Sequence, residues 1–342
     1  MRAAITGIGY YVPPDVLDNT HFESLLGITS EWIVERTGIC ERRIANGKAT
    51  SDLIIPAAKQ CLECRGVSAD EVDCIIVATM TPDYLCPSTA SIVQHKLAAT
   101  RAWGFDLAAA CSGFNYGLIT AAKLVETGAV RRVLLCGADK LSSITDYRDR
   151  KTAVLFGDAA GVALVEASED ESLGVIDHVF CFDGSGQGDT LLIPAGGSAK
   201  PTTYDSVSAN EHYLKMDGKV VRNSGVEGMA TITQSILDRN EVRAGEIDWY
   251  VPHQANQRML ETVANRLGFP IDKVMLNVSY FGNTSAAAIP TCLAEYHQDG
   301  RIRAGDKLVL CSIGAGFYLG AVYLRWSALS KSMARGSNAA VI

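Results

Sequence analysis

One stretch of this chain occurs twice. Glu71–Val72–Asp73–Cys74–Ile75–Ile76–Val77 is echoed by Glu246–Ile247–Asp248–Trp249–Tyr250–Val251–Pro252, 175 residues later. Each copy is an acidic turn leading into a short apolar run, the pattern of a buried strand. Further on, each half has a helical segment that ends at a glycine turn and passes into a second apolar strand. These strands are Arg132–Val133–Leu134–Leu135–Cys136–Gly137 and Lys307–Leu308–Val309–Leu310–Cys311. Correspondence at a fixed offset means two duplicated units. Strands alternating with helices make both units α/β. We place an amino-terminal half at 1–170 and a carboxy-terminal half at 171–342. The second half includes loops or a cap at about 183–215 and a small-residue tail at 327–342 that is expected to lie loosely.

Apolar patterning predicts strands at Ala3–Ile8, Val72–Thr79, around Phe105, Val133–Gly137, Ala159–Glu166, Val274–Val278, Lys307–Ile313 and Ala321–Trp326. Helices are predicted from Thr29 to near Gly38, at Asp52–Gly66, Ala90–Ala98, Cys111 to about Glu126, Asn223–Asn240, Gln257–Leu267 and Thr284–His297. Superposing the halves sets Cys111 and Asn283 at matching places, each at the start of a buried helix.

Composition narrows the class. A chain of 342 residues with 48% apolar and 20% charged residues is an ordinary globular protein of about two domains. Its net charge of −7 weighs against nucleic acid as a partner. The start alternates like a strand and lacks the apolar core of a signal peptide, and no 18-residue apolar run offers a membrane span. The expectation is a cytoplasmic protein. The ten cysteines lie mostly inside apolar segments and read as reduced thiols. Cys61–Leu62–Glu63–Cys64 sits in a helical pattern with no second pair, so no metal site is expected. Gly7–Ile8–Gly9 lacks the third glycine and the helix of a dinucleotide fingerprint.

Three residues suggest chemistry. Cys111 stands between the strand ending at Leu107 and the helix that follows, where unpaired N–H groups favour a thiolate of lowered pKa. His253 follows the repeated strand, at the carboxyl end where α/β proteins build sites. Asn283 opens a helix after Gly282. Singly, they read as a packed thiol, a core histidine and a helix cap. Together they supply a nucleophile and two hydrogen-bond donors for an oxygen gaining charge, with a further backbone N–H available in Gly314–Ala315–Gly316–Phe317.

These residues match a known pattern. The sequence resembles the thiolase-like condensing enzymes, most closely the 3-oxoacyl-[acyl-carrier-protein] synthase III family, from about Arg2 to Trp326. The resemblance is carried by Glu31–Trp32–Ile33–Val34 with Arg36–Thr37–Gly38–Ile39, the Cys111 turn and Phe156–Gly157–Asp158. Val251–Pro252–His253–Gln254–Ala255–Asn256 and Gly282–Asn283–Thr284–Ser285 complete it. It implies a five-layered αβαβα thiolase fold and a ping-pong decarboxylative Claisen condensation without metal or redox cofactor. Cys111 would take an acyl group from acyl-CoA, with the N–H groups of Cys111 and Ala315 as oxyanion hole. His253 and Asn283 would stabilise the enolate of malonyl-acyl-carrier protein. Trp32 and Arg150 match an adenine-stacking pair, Arg36 a phosphate contact, and Asn256 and Gly218 groups along the pantetheine tunnel. Arg258 matches a basic residue that meets the carrier protein.

Three positions depart from the family pattern. Ala315 replaces a common glycine, Arg222 replaces a frequent Phe at the tunnel mouth, and Cys86 replaces a Phe that reaches across a homodimer interface to close the partner's acyl pocket. Cys86, with Leu141 and Phe156, is therefore expected to shape a roomier acyl site. Three other readings compete: a secondary-metabolism acyltransferase with a different acceptor, a Cys–His–Asn hydrolase, which the tunnel motif after His253 disfavours, and a non-catalytic partner protein, which the presence of all of Cys111, His253 and Asn283 disfavours.

Overall fold

The computed structural model describes residues 1–184 and 190–327. In chain order the strands of the first half are β1 (Ala3–Tyr11), β2 (Val16–Asp18), β3 (Glu41–Arg43), β4 (Cys74–Ala78), β5 (Trp103–Leu107), β6 (Arg132–Asp139) and β7 (Ala159–Ala167). Those of the second are β8 (Gly174–Phe182), β9 (Leu191–Leu192), β10 (Lys215–Met216), β11 (Trp249–Pro252), β12 (Lys307–Gly314) and β13 (Tyr318–Arg325). The helices are α1 (Thr20–Leu26), α2 (Ser30–Thr37), α3 (Thr50–Arg65), α4 (Thr89–Leu97), α5 (Gly113–Glu126), α6 (Tyr204–Ser208), α7 (Gly218–Arg239), α8 (Gln257–Leu267), α9 (Val278–Phe281) and α10 (Ala288–Gln298).

The first large sheet has the order β1-β7-β6-β4-β5 and the second β8-β13-β12-β11. Their pairings correspond: β6 with β4 and β12 with β11 are parallel, while β6 with β7 and β12 with β13 are antiparallel. α5 and α10 lie between the sheets, α3 and α4 cover the first from outside, and α7 and α8 cover the second. This is the five-layered αβαβα arrangement. Each sheet is covered on both faces, which is why its strands read as apolar runs such as Cys74–Ala78, all buried. The central core joins Phe114, Leu118 and Leu135 from one half to Ile289, Leu310 and Val322 from the other.

The duplication holds at 175 residues, and this corrects the superposition of catalytic positions. β6 and β12 correspond at that offset, as do the 3-10 turns Ala110–Ser112 and Ser285–Ala287. Cys111 therefore corresponds to Ala286, and Asn283 stands three residues earlier than its supposed counterpart.

A second correction concerns Val274–Val278, which is not a strand. It meets the sheet through a single bridge, Val274 with Tyr250, and Val278 already begins α9. The buried Gln254 side chain takes the place of a partner strand. Its amide donates to Met275 O at 3.0 Å and accepts from the N–H groups of Asn277 and Val278 at 2.9 and 3.2 Å. β8 was missed altogether. The cap at about 183–215 lies partly outside the described residues and elsewhere holds β9, α6 and β10, while the tail 327–342 lies outside them beyond residue 327. No helix among the described residues is long and apolar enough to cross a membrane.

Candidate active site

Cys111 occupies the 3-10 turn Ala110–Ser112, between β5 and α5. Ala110 is forced to a φ of 45°, a conformation costly for a residue with a Cβ. Ser112 Oγ donates to Tyr318 O at 2.7 Å and Asn115 Nδ2 to Ser312 Oγ at 3.0 Å, so the second sheet holds the turn in place. Gly314 passes against the same turn. A Cβ there would stand 2.7 Å from Ala109 O and 3.1 Å from Cys111 N, closer than packing allows. Ala315 follows and borders the site; it is not among the positive-φ residues, so its side chain is tolerated where the family often has glycine.

His253 continues from β11, its N–H donating to Cys311 O at 2.7 Å. The next residue, Gln254, also donates to Pro252 O at 2.8 Å, which fixes the backbone on both sides of the histidine. Asn283 is fixed by a crossing segment. Its N–H donates to Leu155 O at 2.8 Å and its carbonyl accepts from Gly157 N–H at 3.0 Å. Gly282 permits the crossing with a φ of 67°, and a Cβ there would stand 2.8 Å from Leu155 O. Asn283 Oδ1 accepts from Ser285 N–H at 2.9 Å. That bond settles the amide orientation and leaves the NH₂ group to act as donor.

Burial sets the charge state of the pair. It pushes the Cys111 thiol up to about 12, against a smaller opposing effect of a Ser285 hydrogen bond. This overturns the thiolate expected from the helix start: dehydration outweighs the dipole, and the resting group is a thiol. Burial also pushes His253 down to about 4, so the imidazole is neutral. Its Nδ1 is buried without a hydrogen-bond partner.

One cavity of about 480 Å³ connects these groups with the surface. Cys111, His253 and Asn283 line its inner end, Leu141, Phe156 and Leu214 its walls, and Trp32, Arg36, Arg150, Gly218, Arg222 and Asn256 its outer part. Lys151 joins the three arginines, and among the described residues no Asp or Glu lines the cavity. Both Arg36 and Arg150 lie over the Trp32 ring, with Cζ at 4.2 and 5.7 Å from its centroid. Asn256 has a structural duty as well. Its Oδ1 caps α8, accepting from Arg258 and Met259 N–H at 2.9 and 3.2 Å, and its Nδ2 donates to Arg36 O at 3.1 Å.

Two expected residues stand apart. Cys86 is exposed, beside Leu85 at 91% exposure, and does not line this chain's cavity. The Pro82–Pro87 loop carries it outward, so of the three expected acyl-pocket residues only Leu141 and Phe156 line the cavity of the same chain. Arg258 is likewise outside the cavity, held to Glu35 O at 3.1 Å and paired with Glu261 at 3.2 Å. Asp158 of the Phe156–Gly157–Asp158 motif proves to be an anchor, accepting from Ala45 and Ser142 N–H at 2.7 and 2.8 Å. Sequence reasoning passed over Ser285, although it stands in the Asn283 motif, and Asp139, which no motif marks.

In a duplicated αβαβα fold, this geometry defines a thiolase-fold acyltransferase. Known proteins identify the branch. The model for the 3-oxoacyl-[acyl-carrier-protein] synthase III family matches residues 105–184, and the model for its C-terminal part matches 237–326. The β-ketoacyl-[acyl-carrier-protein] synthase III of Chlorobaculum tepidum is 49% identical over 95% of this chain and 100% of its own. That of Koribacter versatilis is 44% identical over 95% and 98%. The crystal structure of the Pseudomonas aeruginosa 3-oxoacyl-(acyl carrier protein) synthase III superposes with a TM-score of 0.89 at 36% identity, covering 96% of this chain and 100% of that one. The chain belongs to the 3-oxoacyl-[acyl-carrier-protein] synthase III family.

Proposed function

We propose that the chain joins an acyl-CoA primer to malonyl-acyl-carrier protein by decarboxylative Claisen condensation, opening fatty acid synthesis, with Cys111 carrying the acyl group between the half-reactions. The observation that carries this reading is the polarity of the cavity. Cations and an indole gather at its outer part, apolar walls follow, and thiol, neutral imidazole and amide meet at the inner end with no carboxylate among the described residues. In a chain of net charge −7, that distribution suits a ligand with anionic phosphates outside and a thioester inside.

In the first half-reaction the Cys111 sulfur attacks the thioester carbonyl. The N–H groups of Cys111 and Ala315, which Gly314 keeps unobstructed, hold the developing oxyanion. Trp32 and Arg150 stack the adenine, Arg36 and Lys151 meet phosphates, and Gly218 and Asn256 border the pantetheine arm. In the second, the malonyl carboxylate enters apolar surroundings that favour its loss as CO₂. His253 and the NH₂ of Asn283 donate to the enolate oxygen, and its carbon attacks the acyl-Cys111 thioester. Arg222 at the mouth and the exposed Arg258 receive an acidic carrier protein.

A homodimer completes the reading. β5 is an edge strand with Trp103 half exposed and stacked at 6.2 Å on Phe105, and the exposed Tyr84 and Leu85 add apolar surface. Cys86 then faces the other copy's acyl pocket. The ten free cysteines suit a reducing, cytoplasmic setting.

The test is intact-protein mass spectrometry after incubation with a panel of acyl-CoAs. One acyl adduct on Cys111, absent in Cys111→Ala, is expected. No adduct, or an adduct on Cys40 or Cys86, overturns the proposal.

A further inference from the structure

His253 and Asn283 reach the cavity from different elements, one from the end of β11 and the other from the crossing after α9. Among the described residues His253 Nδ1 has no partner, so no second hydrogen bond turns the ring and its placement falls to the backbone. Asn283 is tied to the first half of the chain. Its backbone pairs with Leu155 and Gly157, and in the turn that follows Asp139 Oδ2 accepts from Ala286 N–H at 3.2 Å. These bonds do not set it against His253.

That relation runs through Asn277. Its N–H donates to Gln254 Oε1 at 2.9 Å, and the Gln254 amide donates to Pro252 O at 2.8 Å, which joins Asn277 to the backbone that carries His253. Asn277 Nδ2 donates to Thr291 Oγ1 at 3.2 Å and to Glu295 Oε2 at 2.8 Å. Thr291 and Glu295 are four residues apart on α10 and share one of its faces. The Thr291 hydroxyl proton is engaged with Ala288 O at 2.9 Å, which leaves its oxygen to accept from Asn277. Tyr280 of α9 donates to Glu295 Oε1 at 3.3 Å. Between Asn277 and Thr291 the chain runs out through α9, passes Asn283 and returns along the first turn of α10. Asn277 closes that excursion at its base. Gln254, Asn277 and Thr291 are all buried, so water does not compete for these bonds.

We propose that Asn277 and Glu295 are positioning residues for the bond-forming half-reaction: they fix Asn283 relative to His253, so that both donors meet one enolate oxygen. The inference rests on His253 and Asn283 being the enolate donors. The nucleophile has separate support. Its turn is held by Tyr318 O and Ser312 Oγ, with Gly314 against it, and none of these contacts passes through Asn277 or α10. Loosening the network therefore spares acylation of Cys111 and lets the two donors drift apart. A misplacement of ~1 Å can cost ~10²-fold in rate.

Three variants test this. Glu295→Leu removes the acceptor for Asn277, Glu295→Gln keeps an oxygen there, and Thr291→Val replaces one buried hydroxyl by a methyl. Single-turnover reaction with acyl-CoA reports loading, and enzyme acylated beforehand, mixed with malonyl-acyl-carrier protein, reports condensation. Glu295→Leu should lower kcat for condensation by about 10- to 100-fold. Its KM for malonyl-acyl-carrier protein and its loading rate should stay near wild type. Glu295→Gln should recover most of the loss. Thr291→Val should show the same split to a smaller extent, and it decides the matter if Glu295→Leu does not fold. Loading and condensation falling together would make the network ordinary core support. That result, unchanged condensation in the Leu and Val variants, or a Glu295→Gln enzyme as slow as Glu295→Leu overturns the proposal and leaves the condensing reading intact. A wild type that loads an acyl group but releases no CO₂ from malonyl-acyl-carrier protein overturns both.

Discussion

A buried histidine held neutral is a hydrogen-bond donor across the whole physiological range, and it has a stability signature. The unfolded chain protonates His253 near its ordinary 6.5, the folded chain only near 4. Between those values the unfolded state binds the extra proton, so stability falls as pH drops through this window. Wild type should lose ~2 kcal/mol more than His253→Gln between pH 7 and pH 5. Urea unfolding at the two pH values checks this, and equal losses would place the imidazole in water. Asn283→Ala addresses chemistry instead. It should still load acyl groups but condense ~10² to 10³ slower, because one donor to the enolate is gone. Loading and condensation measured separately decide it, and normal condensation would make Asn283 a helix cap. At this scale the sequence was legible where motif and chemistry coincide, as in Cys111, His253 and Asn283, which share one cavity. It misled on the Cys111 charge state, because burial comes from the opposite half of the chain and leaves no local trace. Asp139 was invisible for the same reason: its partners are 58 to 147 residues away.

Elements were legible to the extent that their stabilisation is local. α8 was read to the residue, since Asn256 caps its start and Gly268 ends it in a left-handed conformation. Val274–Val278 has a strand's composition, but a single side chain, Gln254, captured its backbone hydrogen bonds. Periodicity cannot register such a replacement. β8 alternates only weakly from buried to exposed along its length, so it gave no period to read. The close crossing of Gly314 with the Cys111 turn is likewise tertiary. Gly314→Ala should push that turn off its position at a cost of ~1–3 kcal/mol. Acyl loading should fall far more than overall stability, and thermal unfolding alongside single-turnover loading would show it. A Gly314→Ala protein that loads normally would mean the turns can part without consequence.

The whole molecule was the most legible scale, because a duplicated sequence leaves few ways to arrange two α/β halves. Its outward electrostatics were less so: net charge predicts repulsion of anions, whereas the residues at the mouth gather Arg36, Arg150, Lys151 and Arg222. Arg222→Glu should raise the KM for an acidic carrier protein at least several-fold more than that for acyl-CoA, and added salt should narrow the gap. Equal effects on both substrates would confine Arg222 to the small-molecule path. The two halves differ at one edge of their sheets. The first carries a full fifth strand, β5, ending the sheet with Trp103 half exposed; the second has only the Val274 bridge in that place. Two such edges on one chain would let copies join at both ends and grow into a filament. With that edge present once, the proposed joining of two copies through it would use both β5 edges, and growth through β5 would stop at a pair.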